Sequence, residues 1–203
     1  MRKITAITAQ ERNKERVNLF VDGEFFAGVS LETAIKLRLK VGDNVDETRL
    51  NEILAETERT EVLNKAADYA LKTLKTKRQV KDYLVKKGYS EETVWYAVDR
   101  LKEYGYIDDK EYSKRFIEST SKTQGKRLIE YKLMQKGVKK EDIAAAYESA
   151  ETDENASARA LCEKYLRYKE KSKENVLKAY KYLIGKGFSY EQAEYAVAPF
   201  KED

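Results

Sequence analysis

Histidine is absent from this 203-residue sequence, and that absence removes more chemistry than any other. Histidine is the usual general base near neutral pH and the commonest metal ligand, so Ser-His-Asp and Cys-His catalytic arrangements are excluded. Cysteine is nearly absent too. Cys162 stands alone, which rules out an intrachain disulfide and, without histidine, any zinc site of the Cys/His kind within one chain. One proline and nine glycines leave few helix breakers. No apolar run approaches the ~18–20 residues of a membrane span, and Met1-Arg2-Lys3-Ile4 does not lead into a signal-peptide core. Val41-Gly42-Asp43 lacks the glycine-rich, lysine-containing loop that cradles a nucleotide phosphate. The expectation is a non-enzymatic, soluble, cytoplasmic protein with no cofactor, no metal and no membrane partner.

What is present is charge, tyrosine and repetition. Charged residues make up 37% of the chain, a balance that suits slender helical units with much surface. The net charge is +4, distributed unevenly. Residues 110–150 carry ten Lys/Arg against six Asp/Glu and residues 65–109 ten against eight, whereas residues 1–64 are net acidic and 151–203 balance. A polyanion should therefore be met in the middle of the chain. All fifteen tyrosines follow residue 64, as expected of rings filling helix interfaces.

A Lys-Gly pair followed by an apolar residue occurs three times: Lys87-Gly88-Tyr89, Lys136-Gly137-Val138 and Lys186-Gly187-Phe188. The glycines are spaced by 49 and then 50 residues, and a leucine (Leu84, Leu133, Leu183) stands four residues before each. Three glycine-terminated helices with matching flanks at one period indicate a repeated structural unit. Gly88, Gly137 and Gly187 read as left-handed helix terminators.

The N-terminal region reads differently. Ile4–Ala9 and Val17–Val21 flank the polar turn 11–15, and Asp22-Gly23 between apolar runs is a strong hairpin signal, so an antiparallel meander over residues 3–29 is expected. Ser30 is placed to cap a short helix through Leu39, with Leu31, Ala34, Ile35 and Leu37 inward. Asp46 caps the next helix, and nothing separates that helix from the apolar spacing of Val62, Ala66, Tyr69, Ala70 and Leu74. Thr76-Lys77-Arg78-Gln79 and Ser189-Tyr190-Glu191-Gln192 fit capping boxes, Ser90 caps a helix whose face is Val94, Trp95, Val98 and Leu101, and Pro199 closes the last helix. The fold class is mainly α: tandem three-helix, helix-turn-helix-like repeats, elongated, behind a small antiparallel β-rich N-terminal region. The divisions are 1–61 (β meander plus helix), 62–109, 110–150 and 151–203 (one three-helix repeat each).

Leu101-Lys102-Glu103-Tyr104-Gly105-Tyr106-Ile107-Asp108-Asp109, with Leu-x-x-Lys-Gly-Tyr-Ser upstream and Lys186-Gly187-Phe188-Ser189-Tyr190 downstream, resembles the RecX family, regulators of the RecA recombinase. The resemblance covers residues 62–200, and the β region resembles longer members. It implies binding to the RecA–DNA filament, with suppression of filament growth, ATP hydrolysis and strand exchange. It also implies a part in recombination, repair and damage-response signalling. Family members often carry Gly-Pro before the middle repeat's second helix. Here Gly125 precedes Lys126, so a looser helix start is expected.

The candidates for contact with RecA or, non-specifically, with single- or double-stranded DNA form two basic groups: Lys72, Lys75, Lys77, Arg78 and Lys81, then Lys122, Lys126, Arg127, Lys132 and Lys136. Lys132 and Lys136 share a helix face, and Arg78 and Arg127 align at the 49-residue offset. The competing reading of each is a solvated, solubilising face. Gly105 and Tyr106 end a helix, and Asp108 and Asp109 are placed to cap the next one. Trp95 reads as core. A monomer is expected. The rival functions are a stand-alone DNA-binding regulator and an adaptor docking through its β region. The acidic starts Glu91-Glu92 and Glu141-Asp142 of the third helices oppose major-groove reading.

Overall fold

The computed structural model describes residues 1–201 except Arg12 and Lys171. The expected turn 11–15 includes Arg12 and so lies partly outside the described residues. Four strands come first: β1 (Arg2–Ala9), β2 (Arg16–Val21), β3 (Glu24–Ser30) and β4 (Asn44–Val45), in the antiparallel order β3-β2-β1-β4. Asp22 and Gly23 both take positive φ, 53° and 87°, the geometry that matches a two-residue turn to the twist of its strands. β2 alternates strictly: Val17, Leu19 and Val21 are buried and the residues between them are not. The meander over 3–29 is present. The short β4, which pairs Arg2 with Val45 and Lys3 with Asn44, had no sequence signal because two residues carry no periodicity.

Ten α-helices follow among the described residues: α1 (Leu31–Lys36), α2 (Glu47–Lys72), α3 (Lys77–Lys86), α4 (Glu91–Glu103), α5 (Asp109–Thr120), α6 (Lys126–Gln135), α7 (Lys140–Ser149), α8 (Glu154–Leu166), α9 (Lys173–Gly185) and α10 (Tyr190–Val197), with a 3₁₀ turn at Ala198–Phe200 that contains Pro199. Helix α1 stops well before Leu39, because Arg38 takes a positive φ of 52°. Its inward face is centred on Thr33 and Ala34, which turns Leu31 and Ile35 outward against expectation. Thr33 is satisfied there by Thr60 of α2, Oγ1 to Oγ1 at 3.1 Å. Helix α2 runs unbroken from its Asp46 cap across residues 61 and 62. Leu74 falls beyond its end and is exposed, not part of its buried stripe.

The chain forms two compact units. One comprises Met1–Thr73 with Val80–Ile107, the other Leu74–Gln79 with Asp108–Asp203. The first holds two separate cores. Ile4, Leu19, Val21 and Val29 of the sheet meet Leu50 and Ile53 of α2, while Val62, Ala66, Val80, Leu84, Val94, Val98 and Leu101 close a three-helix cluster. The second holds two more, around Ile117, Ile129, Leu133 and Ile143, and around Cys162, Ala179, Leu183, Phe188 and Val197. In every three-helix cluster the first helix packs on the third: α2 on α4, α5 on α7, α8 on α10. Cys162 is buried, and burial pushes its thiol up to about 11.

Candidate partner-binding surface

The three Lys-Gly turns share one hydrogen-bonding pattern. Tyr89, Val138 and Phe188 donate their amides to the carbonyls of Leu84, Leu133 and Leu183, at 3.4, 3.1 and 3.2 Å. Gly88, Gly137 and Gly187 donate at 2.9 Å to Val85, Met134 and Ile184. This pair of bonds, with positive φ at each glycine, is a Schellman motif, and it explains the leucine four residues before each glycine. That leucine accepts the closing bond while its side chain is fully buried.

Two of these turns also receive a helix start. Thr76, the residue before α3, uses one hydroxyl twice: it accepts from the Gln79 amide at 3.2 Å and donates to the Lys136 carbonyl at 2.7 Å. The Gln79 side chain reaches back to the Thr76 amide at 3.0 Å, completing the capping box. Asp109 accepts from the Lys77 amide at 2.8 Å. The Arg78 stem covers Gly137 so closely that a Cβ there would lie 2.2 Å from its Cδ. At the next junction the Gly125 amide donates to the Lys186 carbonyl at 2.9 Å and the Arg127 amide to the Gly187 carbonyl at 3.2 Å. A Cβ on Gly125 would meet the Gly187 and Phe188 backbone at 2.3–2.5 Å, so only glycine fits. The start of α6 is pinned by backbone bonds, not loosened by the missing proline.

The Asp108-Asp109 pair divides its work. Asp108 caps α5 through the Lys110 and Glu111 amides at 2.8 and 3.0 Å, whereas Asp109 caps α3, correcting the expectation that both serve one helix. Burial, and to a lesser degree the Asp142 and Asp108 charges, raises the Asp109 carboxyl above its ordinary value despite the Lys77 bond. Gly105 takes a φ of 75° to end α4, and the Tyr106 amide closes onto the Leu101 carbonyl at 2.9 Å.

The structure brings part of the two basic groups together. Lys75, Lys77 and Arg78 belong to the same compact unit as Lys122, Lys126, Arg127, Lys132 and Lys136, while Lys72 and Lys81 belong to the other. Their availability differs. Lys81 lies 4.4 Å from the Trp95 ring and 3.7 Å from Glu91, and Trp95 is only partly buried against the first helical core. Lys126 lies 4.8 Å from the Tyr147 ring, Lys132 donates to Gln124 at 2.8 Å, and Lys136 sits 6.0 Å from the Phe116 ring. Lys132 and Lys136 are thus each held by their own repeat. Lys72, Lys122 and Arg127 are exposed and form no ion pair among the described residues. The helix-start junctions escaped sequence reading because they join residues about 60 apart. The signal that carried them was the alignment of Thr76 with Gly125 at the repeat offset.

No group of three or more His, Cys, Asp or Glu among the described residues can hold a metal ion, and no described helix is long and apolar enough to cross a membrane. Residues 2–46 match the regulatory protein RecX N-terminal domain. Residues 63–101, 108–146 and 152–197 match, in order, the first, second and third RecX three-helix domains. The chain belongs to the RecX family. RecX relatives include regulatory proteins of Clostridium botulinum strain Eklund 17B, 38% identical with 94% of this chain and 92% of the relative covered, and of Clostridium tetani, 35% identical with 95% and 91% covered. A crystal structure of the regulatory protein RecX superposes with a TM-score of 0.81 at 25% identity, over 97% of this chain and 98% of that one. A RecX structure from Lactobacillus salivarius shares the fold at 24% identity and a TM-score of 0.64, over 70% of this chain and 96% of that one. Membership of this family makes the chain a regulatory protein built from the expected tandem three-helix repeats.

Proposed function

We propose that this chain binds the DNA-bound filament of a RecA recombinase in the cytoplasm and restrains it, lowering ATP hydrolysis, filament extension and strand exchange. The observation that carries this reading is the ordered match of all four RecX domains along one chain. The mechanism is steric and electrostatic. The exposed cations Lys72, Lys122 and Arg127 meet phosphate or acidic protein surface. Lys81 in the unit of Lys72, and Lys75, Lys77, Arg78, Lys126, Lys132 and Lys136 in the unit of Lys122 and Arg127, are the further basic candidates. The exposed Glu91, Glu92 and Glu141 at the starts of α4 and α7 speak against these helices reading a major groove alone.

The deciding measurement is DNA-dependent ATP hydrolysis by RecA during titration of this protein at two salt concentrations. Inhibition far below one molecule per RecA indicates capping of filament ends, and inhibition only near stoichiometry indicates coating of the filament. Unchanged hydrolysis with unchanged filaments by microscopy overturns the proposal. Tight, sequence-selective duplex binding without RecA would replace it with the DNA-regulator reading.

A further inference from the structure

The junction between consecutive repeats is made twice by the same parts: the first turn of one repeat's second helix seats on the Lys-Gly turn of the following repeat. Thr76 and Arg78 seat on Lys136-Gly137, and Gly125, Arg127 and Leu128 seat on Lys186-Gly187. Three repeats have three such helix starts and three such turns, so two junctions leave one of each without a mate. The unmated turn is Lys87-Gly88. Its Schellman bonds and φ of 87° match the other two, yet beyond its chain neighbours no described residue lies within 4 Å of a Cβ built on Gly88. Its Lys87 carbonyl, the counterpart of the Lys136 and Lys186 carbonyls, receives no hydrogen bond among the described residues. The unmated helix start is Ser172-Lys173-Glu174-Asn175. There Ser172 caps α9 by accepting from the Asn175 amide at 3.3 Å, as Thr76 caps α3.

We propose that these two surfaces are complementary and join copies of this chain head to tail, the start of α9 of one copy seating on the Lys87-Gly88 turn of the next. The occupant is a second copy because the same chain already builds this contact twice, with Ser172 able to donate its hydroxyl as Thr76 does. Charge adds to the match. Both mated helix starts carry arginine at the second helical position, whereas the unmated one carries the exposed Glu174, paired at 2.6 Å with Lys178 one turn on and still open to solvent, and the unmated turn presents the exposed pair Lys86-Lys87. Exposed apolar groups accompany both surfaces: Val85 beside the turn, and Leu177 on α9, which lines an open depression of about 340 Å³ with Val176 and Tyr180. A contact of this kind is heterologous, so it propagates into strings unless rotation closes it.

The test is sedimentation velocity of the full chain over a wide concentration range, with the variants Lys87→Glu, Glu174→Lys and the double reversal. The weight-average sedimentation coefficient should rise with concentration. Each single reversal should weaken association on the order of tenfold and the double reversal should restore it, with unfolding temperatures unchanged because both side chains are on the surface. Carbodiimide treatment of mixed isotopically light and heavy copies should link Lys87 to Glu174 between copies. A sedimentation coefficient independent of concentration, self-association indifferent to both reversals, or a Lys87–Glu174 link confined to single copies would overturn the proposal.

Discussion

Three glycines of one motif answer to different constraints at the level of single residues. Gly88, Gly137 and Gly187 all sit at φ between 82° and 91°, where a Cβ costs about 1–2 kcal/mol. Only the latter two are also covered, by the Arg78 stem and by the Leu128 Cβ and amide. Gly88→Ala should therefore cost about 1 kcal/mol in urea unfolding. Gly137→Ala and Gly187→Ala should cost roughly 2–4 kcal/mol, since close-packed neighbours yield little; equal costs would remove the junctions from the account. Asp109 supplies a second residue-level prediction. Its carboxyl titrates above the ordinary value of 3.8 in the folded chain, so the fold binds more protons than the unfolded chain between the two values. Stability from this group is thus greatest in acid and falls as pH rises through that window. Asp109→Asn keeps the acceptor for the Lys77 amide and should abolish this part of the pH slope with little cost at neutral pH. Asp109→Ala loses the cap and should cost about 1–2 kcal/mol.

Helices here are short, and their ends carry much of the order. The three motif glycines terminate α3, α6 and α9 identically, yet their starts differ: Thr76 caps with a hydroxyl, Gly125 offers only backbone, and Ser172 caps with a hydroxyl that meets no second helix among the described residues. Thr76 joins local capping to the packing of its unit through one oxygen. Thr76→Ser should be nearly silent. Thr76→Val keeps the shape but loses both bonds and strands the Gln79 amide, costing about 2 kcal/mol, read by chemical unfolding followed by circular dichroism. Helix α2 shows the opposite economy. Its 26 residues serve two cores in turn, the sheet through Leu50 and Ile53 and the helical cluster through Val62 and Ala66.

At the scale of the molecule, the described residues form four small cores, two in each compact unit, in keeping with a chain of high charge and few helix breakers. On the proposed function, the surface left over is where the partner is met. Lys122 and Arg127 flank Gly125 with exposed side chains, so the double reversal Lys122→Glu/Arg127→Glu should leave stability within about 0.5 kcal/mol. It should still weaken inhibition of RecA several-fold at low salt. If both contact phosphate, the salt dependence of binding should flatten by about two units of logarithmic slope, one per contact. Undiminished inhibition by a folded double variant would move the contact surface elsewhere.

The sequence by itself determined the repeat, the Lys-Gly helix ends and the regulatory family, because these rest on local rules: a glycine at positive φ after a buried leucine, a Thr-x-x-Gln or Ser-x-x-Gln cap, an Asp-Gly hairpin. Where it misjudged, the cause was local spacing read without neighbours. Leu31 and Ile35 have helical spacing, yet α1 turns Thr33 and Ala34 inward instead because Thr33 has a hydrogen-bonding mate in Thr60. Asp109 follows a capping residue, yet serves a helix that begins 32 positions earlier. Only the tertiary structure decided that Lys132 and Lys136 are engaged while Lys122 and Arg127 stand free of ion pairs among the described residues. It alone seated the helix starts at Thr76 and Gly125 on the Lys-Gly turns of the following repeats. These are contacts between distant segments, settled by which backbone groups packing leaves unpaired and by the room that Gly125, Gly137 and Gly187 leave open.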